Sequence, residues 1–167
     1  MLEVIILSAI QGISEFIPVS SSAHLILISK YLSFENSNLN LDMSLHLGSF
    51  LAIITYFRKD IFNFMKNKNV FIKILISSIP TMIVGYLLVH FSLIDYLRNY
   101  KIIGWTTIIF GILLYFSDQK KTTKSIKINY NLKTALYIGF FQVLSLIPGV
   151  SRSGITITGA RIFNFNR

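Results

Sequence analysis

Apolar residues fall into five stretches along the chain, separated by short polar connections. Three of these stretches are unbroken, Leu41 to Phe57, Val70 to Phe91 and Ile102 to Phe116. A bilayer crossing takes about 20 apolar residues, fewer where the bilayer thins, so these three are predicted to be transmembrane helices. The other two are interrupted. Val4 to Leu32 turns polar at Ser20, Ser21, Ser22 and His24, just after Pro18, and Ala135 to Phe163 turns polar at Ser151, Arg152 and Ser153, just after Pro148. Each half, at roughly ten to fifteen residues, is too short to span alone, which predicts two re-entrant helical hairpins, about 3–32 and 135–167. Irregular backbone at such a tip survives in a membrane only against protein or a wet cavity, so the tips are expected to face each other or a pocket.

Composition agrees with a bilayer: of 167 residues, 53% are hydrophobic and 14% charged, and mean hydropathy is +0.61, outside the range of ordinary soluble domains. The net charge of +9 does not indicate a nucleic-acid partner, because the cations cluster between apolar runs. Arg58, Lys59, Lys66, Lys68 and Lys73 face one acid, Asp60, in the first connection; Lys120, Lys121, Lys124, Lys127 and Lys133 face Asp118 in the connection after Phe116, which includes the basic loop 121–134. Both are expected on the cytoplasmic side, and Ser92 to Lys101, nearly balanced by Asp95, on the opposite side. Glu3, Gln11 and Glu15 in the first apolar run argue against a cleavable signal peptide. Cysteine is absent, so any metal must be held by oxygen or imidazole ligands.

The interrupted stretches resemble one another. IQGISEFIPVSSSAHL at 10–25 and FFQVLSLIPGVSRSGI at 140–155 share a Gln, an Ile-Pro and a serine cluster. With the charge alternation, this predicts an all-α membrane protein built as an inverted repeat of a re-entrant hairpin plus three transmembrane helices, with its site where the broken helices meet. Residues 1–120 form the first unit; the second, beginning at 135, is expected to be truncated, three spans short.

Chemistry gathers at the tips. Gln11 and Glu15 are four apart and share one helical face, flanked by Ser8 and Ser14, and a carboxylate in an apolar helix marks a functional site by default. His24 falls in the first turn of a helix that Ser21 or Ser22 would cap; alone it would be read as a polar residue bonded to a carbonyl. Pro148 to Gly154 combines a turn glycine, the hydroxyls of Ser151 and Ser153, Arg152 and the amino end of a helix, which together describe a phosphate cradle. Arg152 needs a counter-charge at such depth, either Glu15 in a structural ion pair or a bound phosphate. Asp42 and His46, on one face near a span end, and His90 read as interfacial residues.

At these motifs the chain resembles the undecaprenyl-diphosphate phosphatase family linked to bacitracin resistance, distinct from the PAP2 phosphatases. QGISEFIPVSSSAHL corresponds to its first motif, HLGSFLAI to its glycine-containing first span and PGVSRSGITITGARIF to its second motif. The resemblance implies removal of the terminal phosphate from undecaprenyl diphosphate, giving the carrier used in peptidoglycan synthesis. It implies a divalent metal, magnesium or calcium, and a site in the bacterial cytoplasmic membrane open to the periplasm. Glu15 is the second acid of the family's (E/Q)xxxE motif and Gln11 its first position, where many members carry Glu; both are the expected metal ligands. Ser20, Ser21 and His24 match the first motif and Arg152, Ser153 and Thr156 the second. The catalytic set is then Glu15, Ser21, His24 and Arg152, with Ser20, Ser22, Ser151, Arg152, Ser153, Gly154 and Thr156 around the phosphate, and either a serine or a His24-activated water attacking. The partners are the lipid substrate, the bilayer and, as an option, a second copy in a homodimer.

An inverted-repeat transporter or flippase of a lipid phosphate is the alternative. A transporter requires binding groups alone, whereas an acid beside a histidine and an arginine suits phosphoryl transfer, where positioning and charge neutralisation carry catalysis.

Overall fold

The computed structural model describes residues 1–34, 39–121, 123–125 and 129–166. Among them there are helices and no strand. In order they are α1 (Leu2–Phe16), α2 (Ser21–Tyr31), α3 (Leu39–Tyr56), α4 (Arg58–Lys66), α5 (Lys68–His90), the short α6 (Ile94–Leu97), α7 (Tyr100–Asp118), α8 (Leu132–Val143), a 3₁₀ turn (Leu144–Leu146) and α9 (Arg152–Ile162). Lys127 of the basic loop lies outside the described residues.

The three unbroken stretches are α3, α5 and α7. Two helices, α5 and α7, are long and apolar enough to cross a membrane, and only 11% of the apolar window of each is buried. A core helix of a soluble protein would be covered; these present Ile83, Tyr86, Ile108 and Ile112 to the outside. The interior mixes apolar residues such as Leu7, Leu25, Ile103 and Phe165 with polar ones. Gln11, Ser14, Ser20, Ser29, Asp42, Ser77, Thr81, Ser117 and Thr158 are buried, the distribution expected when the solvent is lipid and the helix contacts are made by small and hydrogen-bonding residues. The first basic connection, read from sequence only as a polar link, is largely helical: α4 buries none of its residues and carries Phe62 and Met65 exposed beside its charges.

Both interrupted stretches fold as helix–turn–helix hairpins, and the same local rules make each turn. The residue before proline is pushed out of the helical region: Ile17 has φ −102 and ψ 145, and Ile147 has φ −83 and ψ 122. A serine then opens the next helix. Ser20 Oγ accepts from Ala23 N at 3.4 Å and Ser151 Oγ from Gly154 N at 3.2 Å, each satisfying a donor that the first turn would leave orphaned. At their far ends α2, α5 and α9 stop on left-handed residues, Ser33, Ser92 and Asn164, with closing bonds such as Leu93 N to Leu88 O at 2.9 Å.

Packing fixes the second hairpin firmly. α8 lies against α5 at Gly139, where a Cβ would overlap the carbonyl of Ser77; only glycine lets the backbones meet so closely. α9 packs on α7 and Arg161 pairs with Asp118 at 3.3 Å. The first hairpin packs on α3. At the start of α3, the buried Asp42 holds Arg98 at 2.6 Å, a bond that ties α3 to the segment leading into α7.

Candidate active site

The two tips touch. Gly149 N donates to Ser20 Oγ at 3.2 Å in a buried contact. Gly149 has φ +99, and a Cβ there would overlap the Thr106 hydroxyl and the Ile103 carbonyl of α7, so both conformation and space require glycine. α7 completes the dock: Thr106 Oγ1 donates to Pro148 O at 2.8 Å and Thr107 Oγ1 to Gly149 O at 3.3 Å.

Between the tips and α3 opens a cavity of about 1200 Å³. Glu15, Ser20, Ser21 and Ser22 line it from the first hairpin, and Ser151, Arg152, Ser153 and Thr156 from the second. Its volume and mixed lining suit a ligand with a polar head and an apolar body. Gly154 is buried behind this wall, holding Ser151 through its N–H. His24 does not line the cavity. It is exposed, with Nδ1 at 2.7 Å from Ser20 O; a carbonyl only accepts, so Nδ1 carries a proton in this contact.

On the first wall, the spacing of Gln11 and Glu15 has its predicted effect: Gln11 Nε2 donates to Glu15 Oε2 at 2.9 Å. Ser21 Oγ donates to the same oxygen at 2.9 Å, which aims the serine proton at a carboxylate and leaves its lone pairs free for the cavity. Ser20, by contrast, accepts from Ala23 N and Gly149 N, so its own proton goes to Ser22 Oγ, 3.2 Å away.

A residue that the sequence placed at an interface joins this wall. His46 of α3 has Nδ1 at 2.8 Å from Gln11 Nε2 and 3.6 Å from Glu15 Oε2, and it lines the cavity. Asp42, His46 and Ser49 stand at i, i+4 and i+7 in a mostly apolar span, a one-faced polar stripe that was the available signal. Gln11 is 1% exposed. Its nitrogen also meets Ser49 Oγ at 3.2 Å, so two amide protons face three acceptors while Oε1 is buried without a hydrogen-bond partner. A cation among these groups would stand where the amide protons now meet Glu15 and His46, with the amide oxygen turned towards it. Carboxylate and amide oxygens suit a hard divalent ion, so Glu15 and Gln11 fit the metal expected from sequence.

On the second wall Arg152 is the first residue of α9 and exposed. Among the described residues it makes no ion pair, so the structural pair with Glu15 is not formed. A guanidinium at the positive end of an eleven-residue helix is electrostatically unfavourable by itself and becomes favourable when an anion sits against both. Ser151 Oγ and Ser153 Oγ, 3.1 Å apart, flank that position.

Comparison with known proteins gives one family. The sequence model described as bacitracin resistance protein BacA matches residues 4–167. Among similar proteins are the undecaprenyl-diphosphatase of Pelagibacter ubique, 53% identical over 168 residues, with 100% of this chain and 66% of the relative covered. That of Saccharophagus degradans is 40% identical over 179 residues, covering 100% and 67%. That of Campylobacter concisus is 43% identical over 176 residues, covering 98% and 66%. The chain thus spans about two thirds of the length of these relatives.

Proposed function

The chain belongs to the BacA family, and on that premise we propose that it hydrolyses undecaprenyl diphosphate to undecaprenyl phosphate and inorganic phosphate, recycling the lipid carrier for cell-wall synthesis and conferring bacitracin resistance. The observation that carries this is the opposition of the tips across one cavity: a carboxylate bonded to a serine hydroxyl on one side, an exposed arginine at a helix amino end on the other.

In this reading Arg152, the Ser151 and Ser153 hydroxyls and the α9 amino end hold the terminal phosphate, and Ser21 attacks it. The Ser21 O–P bond forms, the anhydride P–O bond breaks with its electron pair leaving on the lipid monophosphate, and the serine proton passes to Glu15. Water then hydrolyses the phosphoserine, taking the proton relay in reverse. His24, which is not among the residues lining the cavity, steadies the tip through Ser20 O. A divalent ion, magnesium or calcium, held by Glu15 and Gln11 would neutralise charge on the diphosphate. The cavity is read as periplasmic, in the cytoplasmic membrane, with 1–120 one unit of an inverted repeat and 135–167 the opening hairpin of the next; the shared Pro-to-serine turns and the basic connections support this. The test is phosphate release from undecaprenyl diphosphate by the purified protein in lipid, with and without chelator. Metal-dependent release is expected; transport of the lipid without phosphate release would favour the flippase reading instead.

A further inference from the structure

We propose that His46 is a third protein ligand of the divalent ion at the first tip, acting through Nδ1 beside Glu15 and Gln11; this rests on the metal-dependent reading above and extends it to a residue on a different helix. Three observations converge. Nδ1 lies 2.8 Å from the Gln11 amide end, and while the amide nitrogen is on that side Nδ1 presents a lone pair and Nε2 carries the ring proton. The lone pair is thus already turned into the cluster. The buried Gln11 Oε1 without a partner supplies the second donor: turned about its last torsion, the amide places its oxygen where Nε2 now stands. The third donor is Glu15 Oε2.

The separations then have the right scale. The Gln11 amide end, Glu15 Oε2 and His46 Nδ1 stand 2.9, 2.8 and 3.6 Å apart. Neighbouring ligands of an octahedral ion with bonds of about 2.1 Å lie about 3.0 Å from one another. The two short edges suit a small divalent ion, and the 3.6 Å edge suits the longer bonds of calcium, about 2.3 to 2.6 Å. One imidazole among two oxygens also moves the preference from magnesium towards manganese, which accepts nitrogen more readily. The ligand set is drawn from α1 and α3, so ion binding would also lock the first hairpin to the following span.

Manganese(II) is the probe, added to the intact protein in lipid nanodiscs and followed by electron paramagnetic resonance, with pulsed measurements for nitrogen coupling to the ion. Wild type and His24→Ala are expected to show imidazole nitrogen coupling. His46→Gln should lose that coupling and, with a neutral amide in place of the imidazole, bind manganese about 10-fold more weakly, the low end of what a lost polar partner costs a metal site. His46→Asp should lose the coupling yet recover most of the affinity, because an oxygen ligand replaces the nitrogen; recovery also shows that the helix pair still forms. Manganese bound in a Glu15-dependent way but without nitrogen coupling would overturn the role of His46 and leave the metal at Glu15. Coupling that survives in His46→Gln and vanishes in His24→Ala would equally overturn it. No manganese binding at millimolar concentration would remove the metal reading and this proposal together.

Discussion

The two hairpin tips are built by one backbone recipe and carry opposite charge. In each, an extended isoleucine precedes proline and a serine caps the helix that follows. At the first position of that helix the first tip has Ser21, bonded to a carboxylate, and the second has Arg152, free of any ion pair among the described residues. They differ also by one residue. Pro18 and Ser20 enclose only Val19, whereas Pro148 and Ser151 enclose Gly149 and Val150. The added glycine, at φ +99, lets the second turn press into α7 and reach Ser20 of the first. The comparison teaches a division of labour: the first tip gathers anionic and neutral donors suited to a cation, and the second offers a cation and a helix dipole suited to an anion.

The sharpest way to break this division is to remove the first tip's charge. Glu15→Gln should cut turnover by about a thousandfold, the upper end of what one preorganised group contributes, since it removes both the acceptor of the Ser21 proton and the anionic metal ligand. Steady-state phosphate release at saturating metal measures it. Normal turnover would make the acid a structural partner of Gln11 and the first tip a scaffold only.

On the opposite wall, Arg152→Lys tests whether the second tip supplies shape as well as charge. An ammonium cannot reproduce the planar two-pronged contact of guanidinium with phosphate. A loss of about a hundredfold in kcat/KM is expected, nearly that of Arg152→Ala, in keeping with the cost of displacing a reacting group by about an ångström. A lysine variant near wild type would reduce Arg152 to a point charge.

Gly149→Ala addresses the extra residue itself. It forces a side chain into the left-handed region, at a cost of about 1–3 kcal/mol, and against the Thr106 hydroxyl and Ile103 carbonyl. The protein should melt lower and turn over about tenfold more slowly. Adding Thr106→Ala should recover part of the loss, because it removes one of the two overlaps and leaves the torsion. Unchanged melting would mean that the second tip does not need to dock.

How far these features were legible in the sequence depended on the range of the forces involved. The apolar helices, the helix–turn–helix form of the interrupted stretches and the Pro-to-serine turns could be read because local rules fix them: apolar length, the restriction before proline and serine capping act within a few residues. Of the three helices predicted to span, however, only α5 and α7 are long and apolar enough to do so. The Gln11–Glu15 pair was legible for the same reason, being one helical turn apart. What escaped was set by packing between helices. His46 looked interfacial because its partners are 35 and 31 residues away in sequence. The exposure of His24 follows from which face of α2 the neighbouring helices cover, and the contact of Gly149 with Ser20 spans 129 residues. The one-residue difference between the tips was visible, but its purpose lay in Thr106 and Thr107 of a helix that no local rule connects to it.

The smallest expected effect is the most discriminating for the first tip. Gln11→Glu should leave turnover within a few-fold of wild type while tightening divalent binding, because a second carboxylate one helical turn from Glu15 is the pairing that a hard cation prefers. Without the ion the same change should be costly. The side chain is 1% exposed, and two carboxylates on one helix face repel when no cation lies between them. Melting in chelator should therefore fall below wild type, and melting in excess metal should rise to meet or exceed it. That crossing is the signature of a cation shared between the two positions. A variant equally destabilised with and without metal would show that Gln11 is there for its amide donors, holding Glu15 and His46 by hydrogen bonds alone, and the symmetry between a cation-holding tip and an anion-holding tip would be lost.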